Sequence, residues 1–377
     1  MHAELYVPPV TTTPGAGTPP PPLRPESRLD PAIFHLPVER MREGYYSDKY
    51  FVYARDVLQA DRHDPIVTMQ VFQKRHAWLG GVDEAIAVLK LCLSEGYGWD
   101  DLEVLALRDG DEAAPREPVM HITGPYAAFA HLETVYLGVL ARRTKVASNT
   151  RRAVLAAWPK PVIFFPARHD HWLVQTGDGY AAHIAGAIGV STDAQASWWG
   201  SRGVGTVPHA LIAAYDGNTV DAARAMARHV DPDVHIIALV DFDNDSVETS
   251  LAVARALGER LWGVRLDTSE TVVDRSILSQ MGGFTPTGVN PQLVHNVRTA
   301  LDAEGFQQVR IVVSGGFDEA KIEAFERSGV PVDSYGVGSF LLRDRYDFTA
   351  DVVKVEGRPV AKVGRGYMPN PRLERVS

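Results

Sequence analysis

The 377-residue chain contains a single cysteine, Cys92. One thiol forms no internal disulfide and builds no cysteine-rich zinc site, so the expected compartment is the reducing cytoplasm. No apolar run approaches the roughly 18 residues that span a bilayer. Met1 to Pro9 lack a basic stretch followed by an apolar core, so no secretory signal is expected. Basic excess is missing too. Thirty-eight Lys and Arg stand against 47 Asp and Glu, a net charge of −9, and no long basic block occurs. That balance speaks against a nucleic-acid binder while allowing a local positive pocket for an anionic small molecule. Tandem repeats are absent. With 45% apolar and 23% charged residues, the composition is that of a globular chain with ample core.

Residues 1–31 read as a disordered, Pro-rich leader, because TTTPGAGTPPPPLRPES buries too little apolar area to offset its ordering. Residues 32–160 read as an N-terminal α+β domain. Val82, Ile86, Leu89 and Leu93 fall on one helical face, and so do Phe129, Leu132, Tyr136 and Leu140. Val104–Leu107 and Val119–Ile122 read as strands around a polar turn. From Pro161 the rhythm changes. The runs VIFF (162–165), HIIALVDFD (235–243), LWGVRLD (261–267), VRIVVSGG (309–316) and DSYGVGS (333–339) read as strands buried on both faces, with helical stretches between them. At roughly 30 residues per strand–helix unit, residues 161–345 hold about six units, which predicts an irregular α/β barrel. Residues 346–377 read as a hairpin returning to the N-terminal domain. The fold class is α/β, with a domain boundary at about 160.

Polar groups recur where these strands end, the edge at which α/β barrels build active sites. They are Asp241, Asp243 and Asp245 in VDFDND, Arg265, Asp267 and Glu270 in VRLDTSE, and Ser314, Gly315 and Gly316 in VVSGGFD. The SGGFDEAKIEAF segment runs from strand through two glycines into a helix, the pattern that lets backbone amides cradle a phosphate. Gly336 and Gly338 in YGVGS supply a second such strand end. Asp318 and Glu319 would repel a phosphate and are expected to cap the helix or face solvent. Asp241 and Asp267 suit a ribose hydroxyl, a developing cation or a Mg²⁺ ion carried by phosphates, and Asp243 is the weaker metal candidate. Asp245 is the expected N-cap of the next helix.

His209 opens a helix after GTVP and is a candidate phosphoryl acceptor. His169 and His171 form an H-x-H that would share one strand face and could ligate a metal. GYYSDKYF (44–51) gathers aromatics, Tyr46 and Tyr50 among them, that could stack on a flat heterocycle. Arg142, Arg143, Arg168 and Arg265 are the candidate anion partners.

Taken together, FHLPVERMREGYYSDKYF, PVMHITGPYAAFAHLETVYLGVLARRTKVASNTRRA, GTVPHALI, VDFDND, VRLD, VSGGFD, YGVGS and GRGYMPNPRLERV resemble the nicotinate phosphoribosyltransferase family, most closely its shorter archaeal-type branch. The resemblance covers nearly the whole chain after the leader. It implies a type II phosphoribosyltransferase that joins nicotinate to phosphoribosyl pyrophosphate, coupled to ATP hydrolysis, in NAD biosynthesis. By the same resemblance His209 matches the phosphorylated histidine, and Tyr50, Thr206 and Arg265 match the nicotinate contacts. Asp267 matches the acid near the ribose, and Ser314, Gly315, Gly316, Gly336 and Gly338 match the phosphate-binding turns. Mg²⁺ with the diphosphate, ATP as co-substrate and a homo-oligomer of two or more subunits are also implied, with neither membrane nor nucleic acid as partner. The chain reads RLDTSE where many relatives read R-x-D-S-G-[DE], so Thr268 replaces a serine and Ser269 a glycine. Some short relatives carry a cysteine cluster for zinc, which one cysteine excludes here. Three other readings are open: transfer to quinolinate or nicotinamide, a metal-dependent barrel hydrolase using His169 and His171, and a non-catalytic phosphosugar binder.

Overall fold

The computed structural model describes residues 18–377; most of the Pro-rich leader, residues 1–17, lies outside the described residues. The chain divides into two compact units. One comprises Pro21–Arg151, Tyr180–Ala185 and Arg343–Ser377, and the other Arg152–Gly179 and Gly186–Leu342 with residues 18–20.

The first unit is built on a six-stranded sheet. Ile66–Gln73 and Pro118–Pro125 pair antiparallel at its centre, flanked by Phe348–Val355 with Arg358–Pro359 on one side and Glu103–Ala106 with Glu374–Arg375 on the other. The β-branched residues Val67, Val71, Val104 and Ile122 fit the pleat and join one core with Ile86 and Leu89 of the helix Val82–Leu91. The predicted stripe Phe129, Leu132, Tyr136 and Leu140 is fully buried in the same core. Each such side chain contributes about 1.5–3 kcal/mol on burial.

Residues 21–30, read from composition as part of a disordered leader, are tied to this unit by charge. Arg28 donates to Asp83 Oδ1 at 2.7 Å and to the Leu107 carbonyl at 3.1 Å, and the Leu29 amide donates to Asp83 Oδ2 at 2.9 Å. Arg24 reaches Asp111 at 2.8 Å, and Arg108 reaches the Glu26 carbonyl at 3.0 Å. Asp109 lies buried beneath them and caps the helix Val82–Leu91 by accepting from the Val82 amide at 2.8 Å. Burial, and then the Asp83 charge, push its carboxyl well above the usual carboxylate range.

Glu133, at the start of the helix Glu133–Ala157, is pushed up to about 8, first by burial and then by Asp351 and Asp48. A carboxyl raised on folding binds its proton more tightly in the native state. Its contribution is therefore present at low pH and is lost as pH rises from about 4.5 towards 8. Glu133→Gln is expected to flatten that loss. Melting temperatures of the two proteins between pH 4.5 and 8.5 should diverge with pH; parallel curves would contradict the assignment.

The second unit is an α/β half barrel. Six parallel strands lie in the order Gly189–Val190, Val162–Phe164, Ser334–Val337, Arg310–Val313, Leu261–Leu266 and Ile236–Leu239. Helices including Thr219–His229, Ser246–Leu257, Pro291–Ala303 and Glu319–Arg327 pack through Ala222, Leu251, Leu293, Val297, Ile322 and Phe325. Asp245 and Asp318 are the N-caps of the helices that follow them, and Glu319 pairs with Arg152 at 2.8 Å.

The sheet does not close into the barrel that the unit count predicts. Its edge strands do not pair with each other. The segment between them carries Gly203, Gly205 and Pro208, which disfavour a regular strand. That segment instead spans the opening with single bonds, from the Val204 amide to the Val190 carbonyl (2.7 Å) and from the Val207 amide to the Ile237 carbonyl (2.9 Å). Among the described residues no helix is long and apolar enough to cross a membrane.

Candidate active site

Parallel pairing places the carboxyl ends of five neighbouring strands in a row. In sheet order they deliver Phe165, Gly336 to Gly338, Ser314 to Gly316, Arg265 with Asp267, and Asp241. Register fixes the central members: Arg265 lies opposite Val312, and the Ser314 amide donates to the Leu266 carbonyl at 2.9 Å.

Arg265 is the hub. Its Nε donates to Ser314 Oγ at 2.8 Å, Nη1 donates to Thr206 Oγ1 at 3.2 Å, and Nη2 lies 3.2 Å from Asp267 Oδ2. Its guanidinium carbon sits 5.0 Å from the Phe165 ring centroid. A guanidinium carries five N–H donors. Three directions are taken within the protein, which leaves two N–H groups, one on each terminal nitrogen, for a planar carboxylate. The bridging segment that covers the sheet opening thus also delivers Thr206.

Gly315 and Gly316 have φ of +84° and +67°, a left-handed pair that L side chains avoid. A Cβ on Gly316 would collide with the Glu270 carboxylate. Lys321, in the first turn of the helix Glu319–Arg327, donates to the Gly315 carbonyl at 3.2 Å, and burial lowers its amine pKa. The turn is therefore held from two sides.

Gly336 meets a different need. A Cβ there would overlap the Phe165 ring, so the glycine makes room for the aromatic floor under Arg265. Gly336→Ala is expected to displace that ring and to destabilise the protein by about 1–3 kcal/mol, read as a lower melting temperature; an unchanged melt would contradict the close approach. A Cβ on Gly338 would meet the His169 ring at 2.9 Å.

His209 opens the short helix His209–Ala214, and its Nε2 lies 3.0 Å from Asp241 Oδ1. Burial raises the Asp241 carboxyl above the usual range, and His209 opposes the rise. With Nε2 engaged, Nδ1 is the nitrogen left for other chemistry.

Other expected site residues fall on other elements. Asp243 is exposed in a groove with Asp245, Glu248 and Arg275, apart from the Arg265 network. Arg168 is exposed beside His169 on the loop after Val162–Phe164. His169 and His171 do not share a strand face. His169 ends a 3₁₀ turn, and His171 caps the next one by accepting from the Leu173 amide at 3.3 Å. Asp170 and Pro166 break the strand pattern that the H-x-H reading assumed, and no cluster of metal-holding His, Cys, Asp or Glu occurs among the described residues. Tyr46, Tyr50 and Arg143 belong to the other unit. Tyr46 and Tyr50 are exposed, while Arg143 forks onto the Glu84 carboxylate at 2.9 and 3.3 Å, which gives it a partner inside the protein. Ser269 takes no left-handed backbone, so the glycine of relatives is not required there. Thr268 is buried with an unpartnered hydroxyl. Glu270 stands at the strand end to which the sequence points, whereas Phe165 and Lys321 join the site with no motif to mark them, Phe165 because it reads as the last residue of an apolar run.

A family model described as the quinolinate phosphoribosyl transferase N-terminal domain matches residues 48–144. The nicotinate phosphoribosyltransferase pncB1 of Mycobacterium tuberculosis is 32% identical over 265 residues, 67% of this chain and 54% of that protein. The nicotinate phosphoribosyltransferase of Bacillus subtilis is 23% identical over 63% of this chain and 45% of its own length. The chain thus spans about half the length of the curated relatives it matches. The crystal structure of nicotinate-nucleotide pyrophosphorylase from Pyrococcus furiosus superposes with a TM-score of 0.74 at 34% identity, covering 87% of this chain and 79% of that one. Human nicotinic acid phosphoribosyltransferase, at 18% identity and a TM-score of 0.65, shares the fold. On this likeness in sequence and fold, the chain belongs to the nicotinate phosphoribosyltransferase family, with a type II phosphoribosyltransferase fold.

Proposed function

We propose that the protein is a nicotinate phosphoribosyltransferase acting in NAD biosynthesis. The observation that carries this reading is the Arg265 guanidinium, held by Ser314, Thr206 and Asp267 over Phe165 with two N–H donors to spare. Nicotinate is a flat ring bearing one carboxylate. Its carboxylate pairs with those donors and its face rests on Phe165, which presents the ring nitrogen to the anomeric carbon of phosphoribosyl pyrophosphate. The nitrogen forms the new bond to C1 as the C1–O bond to pyrophosphate breaks. Positive charge develops on the ribose, and the Asp267 carboxylate opposes it. The amides of the Gly315–Gly316 turn take the 5′-phosphate, and Arg168 and the Gly338 turn supply further donors to anionic oxygens.

His209 is the residue for ATP coupling. The γ-phosphoryl group passes to Nδ1 with ADP leaving, while Asp241 holds Nε2 and stabilises the charged imidazole. Mg²⁺ would come with the diphosphate. The site offers scattered carboxylates rather than a cage, which suits an ion usually bound by one or two carboxylates and substrate phosphates.

Quinolinate is the second base to consider, because the matching N-terminal family model is that of a quinolinate enzyme. Incubation of the purified protein with phosphoribosyl pyrophosphate and each base, followed by mass detection of the mononucleotide and assay of pyrophosphate, tests the reading. Nicotinate mononucleotide with equimolar pyrophosphate is expected. Product from quinolinate alone would transfer the assignment to that base.

A further inference from the structure

Ser314 lies in the stretch that matches the phosphate-binding turns, yet its hydroxyl is turned to another use. Oγ accepts from Arg265 Nε at 2.8 Å and donates to Asp267 Oδ1 at 2.7 Å. The other carboxylate oxygen, Asp267 Oδ2, lies 3.2 Å from Arg265 Nη2. Arginine, serine and aspartate therefore close a ring of polar contacts. A serine hydroxyl has one hydrogen, and phosphate oxygens chiefly accept. With that hydrogen on Asp267, Oγ has nothing to offer a phosphate. The residue is 2% exposed, and its backbone is pinned by the bond from its amide to the Leu266 carbonyl.

We propose that Ser314 is a positioning residue, which sets the Arg265 guanidinium and the Asp267 carboxylate in fixed relation, and not a phosphate ligand. The inference rests on the phosphoribosyltransferase reading above. Without the hydroxyl, Nε loses its acceptor while Asp267 Oδ1 loses its donor. The two charged groups then satisfy each other directly as a bidentate pair. The guanidinium rotates away from the base carboxylate, and the carboxylate is drawn from the ribose. Recognition of the base and stabilisation of the ribose cation decline together.

The test is steady-state kinetics of wild type, Ser314→Ala, Ser314→Cys and Ser314→Thr, with base and phosphoribosyl pyrophosphate varied separately and thermal melts of each protein. Loss of a hydrogen bond to a charged group corresponds to about tenfold or more. Ser314→Ala is expected to raise the base KM about tenfold and lower kcat by a similar factor, leaving the KM for phosphoribosyl pyrophosphate unchanged. Ser314→Thr, which keeps the hydroxyl, should restore most of both. Discrimination of nicotinate from nicotinamide should shrink in Ser314→Ala by the same factor as the base KM rises. Ser314→Cys keeps the volume but only a weak donor and should resemble alanine, which keeps the proposal testable if Ser314→Ala does not fold. A rise confined to the KM for phosphoribosyl pyrophosphate would make the hydroxyl a phosphate ligand and overturn the proposal, as would unchanged kinetics in the alanine and cysteine variants. If the wild type prefers a pyridine base other than nicotinate, the same split is read with that base. A wild type that converts no pyridine base overturns the functional reading and this inference with it.

Discussion

Arg265→Ala is expected to raise the KM for nicotinate about 100-fold or more, while the KM for phosphoribosyl pyrophosphate stays within about threefold of wild type. Two charge-assisted bonds to the carboxylate are lost at a site where the guanidinium is largely shielded, its side chain only 19% exposed. Charge alone does not replace them. Lysine is a point donor without the planar fork, so Arg265→Lys should recover only a small part of the loss. Removing the arginine also frees Asp267 and Ser314 from their shared partner, so kcat should fall as well. Initial rates with each substrate varied at saturation of the other measure all of this. Equal effects on both KM values would make Arg265 a structural strut.

The second large effect is expected at His209. His209→Ala should abolish stimulation by ATP and the ATP hydrolysis that accompanies it, while ATP-independent transfer survives. General acid–base and nucleophilic partners contribute about 10²–10⁴-fold, so the stimulated rate should drop to the basal one. Asp241→Asn keeps a hydrogen-bonding group beside Nε2 but removes the charge, and should fall between. The pH profile carries a sign. Burial raises the Asp241 carboxyl, and the pair needs it ionised. ATP stimulation should therefore be lost on acidification at a higher pH than an ordinary carboxylate would give. Full stimulation in His209→Ala, with phosphate still appearing on the protein, would contradict the assignment.

Five of the six parallel strands are legible because strands buried on both faces read as unbroken apolar runs, each ending in polar residues at the edge where the site forms; the two-residue edge strand Gly189–Val190 is too short to read. VRLD and VVSGG place Arg265, Asp267 and the glycine turn at that edge for the same reason. Closure of the sheet was not legible. It depends on whether the outermost strands meet, and the Gly- and Pro-rich segment that bridges them instead resembles a loop in any local reading. The partner of Arg143, Glu84, lies 59 residues away in sequence, beyond any local reading. Arg24 and Arg28 lie within a Pro-rich stretch, and their partners Asp111 and Asp83 are 87 and 55 residues away. Ser314 and Gly336 read by motif as phosphate residues, and their contacts with Asp267 and Phe165, which only the folded sheet brings together, are invisible to a local reading.

The most direct measurement is the kcat/KM of the wild-type protein for nicotinate, nicotinamide and quinolinate, each with phosphoribosyl pyrophosphate, in the presence and absence of ATP. One guanidinium with two open donors predicts nicotinate ahead of the neutral amide by about 100-fold, and a gain with ATP for nicotinate. Equal turnover of nicotinate and nicotinamide would contradict the role given to Arg265. Conversion of quinolinate in preference to both would contradict the choice of base.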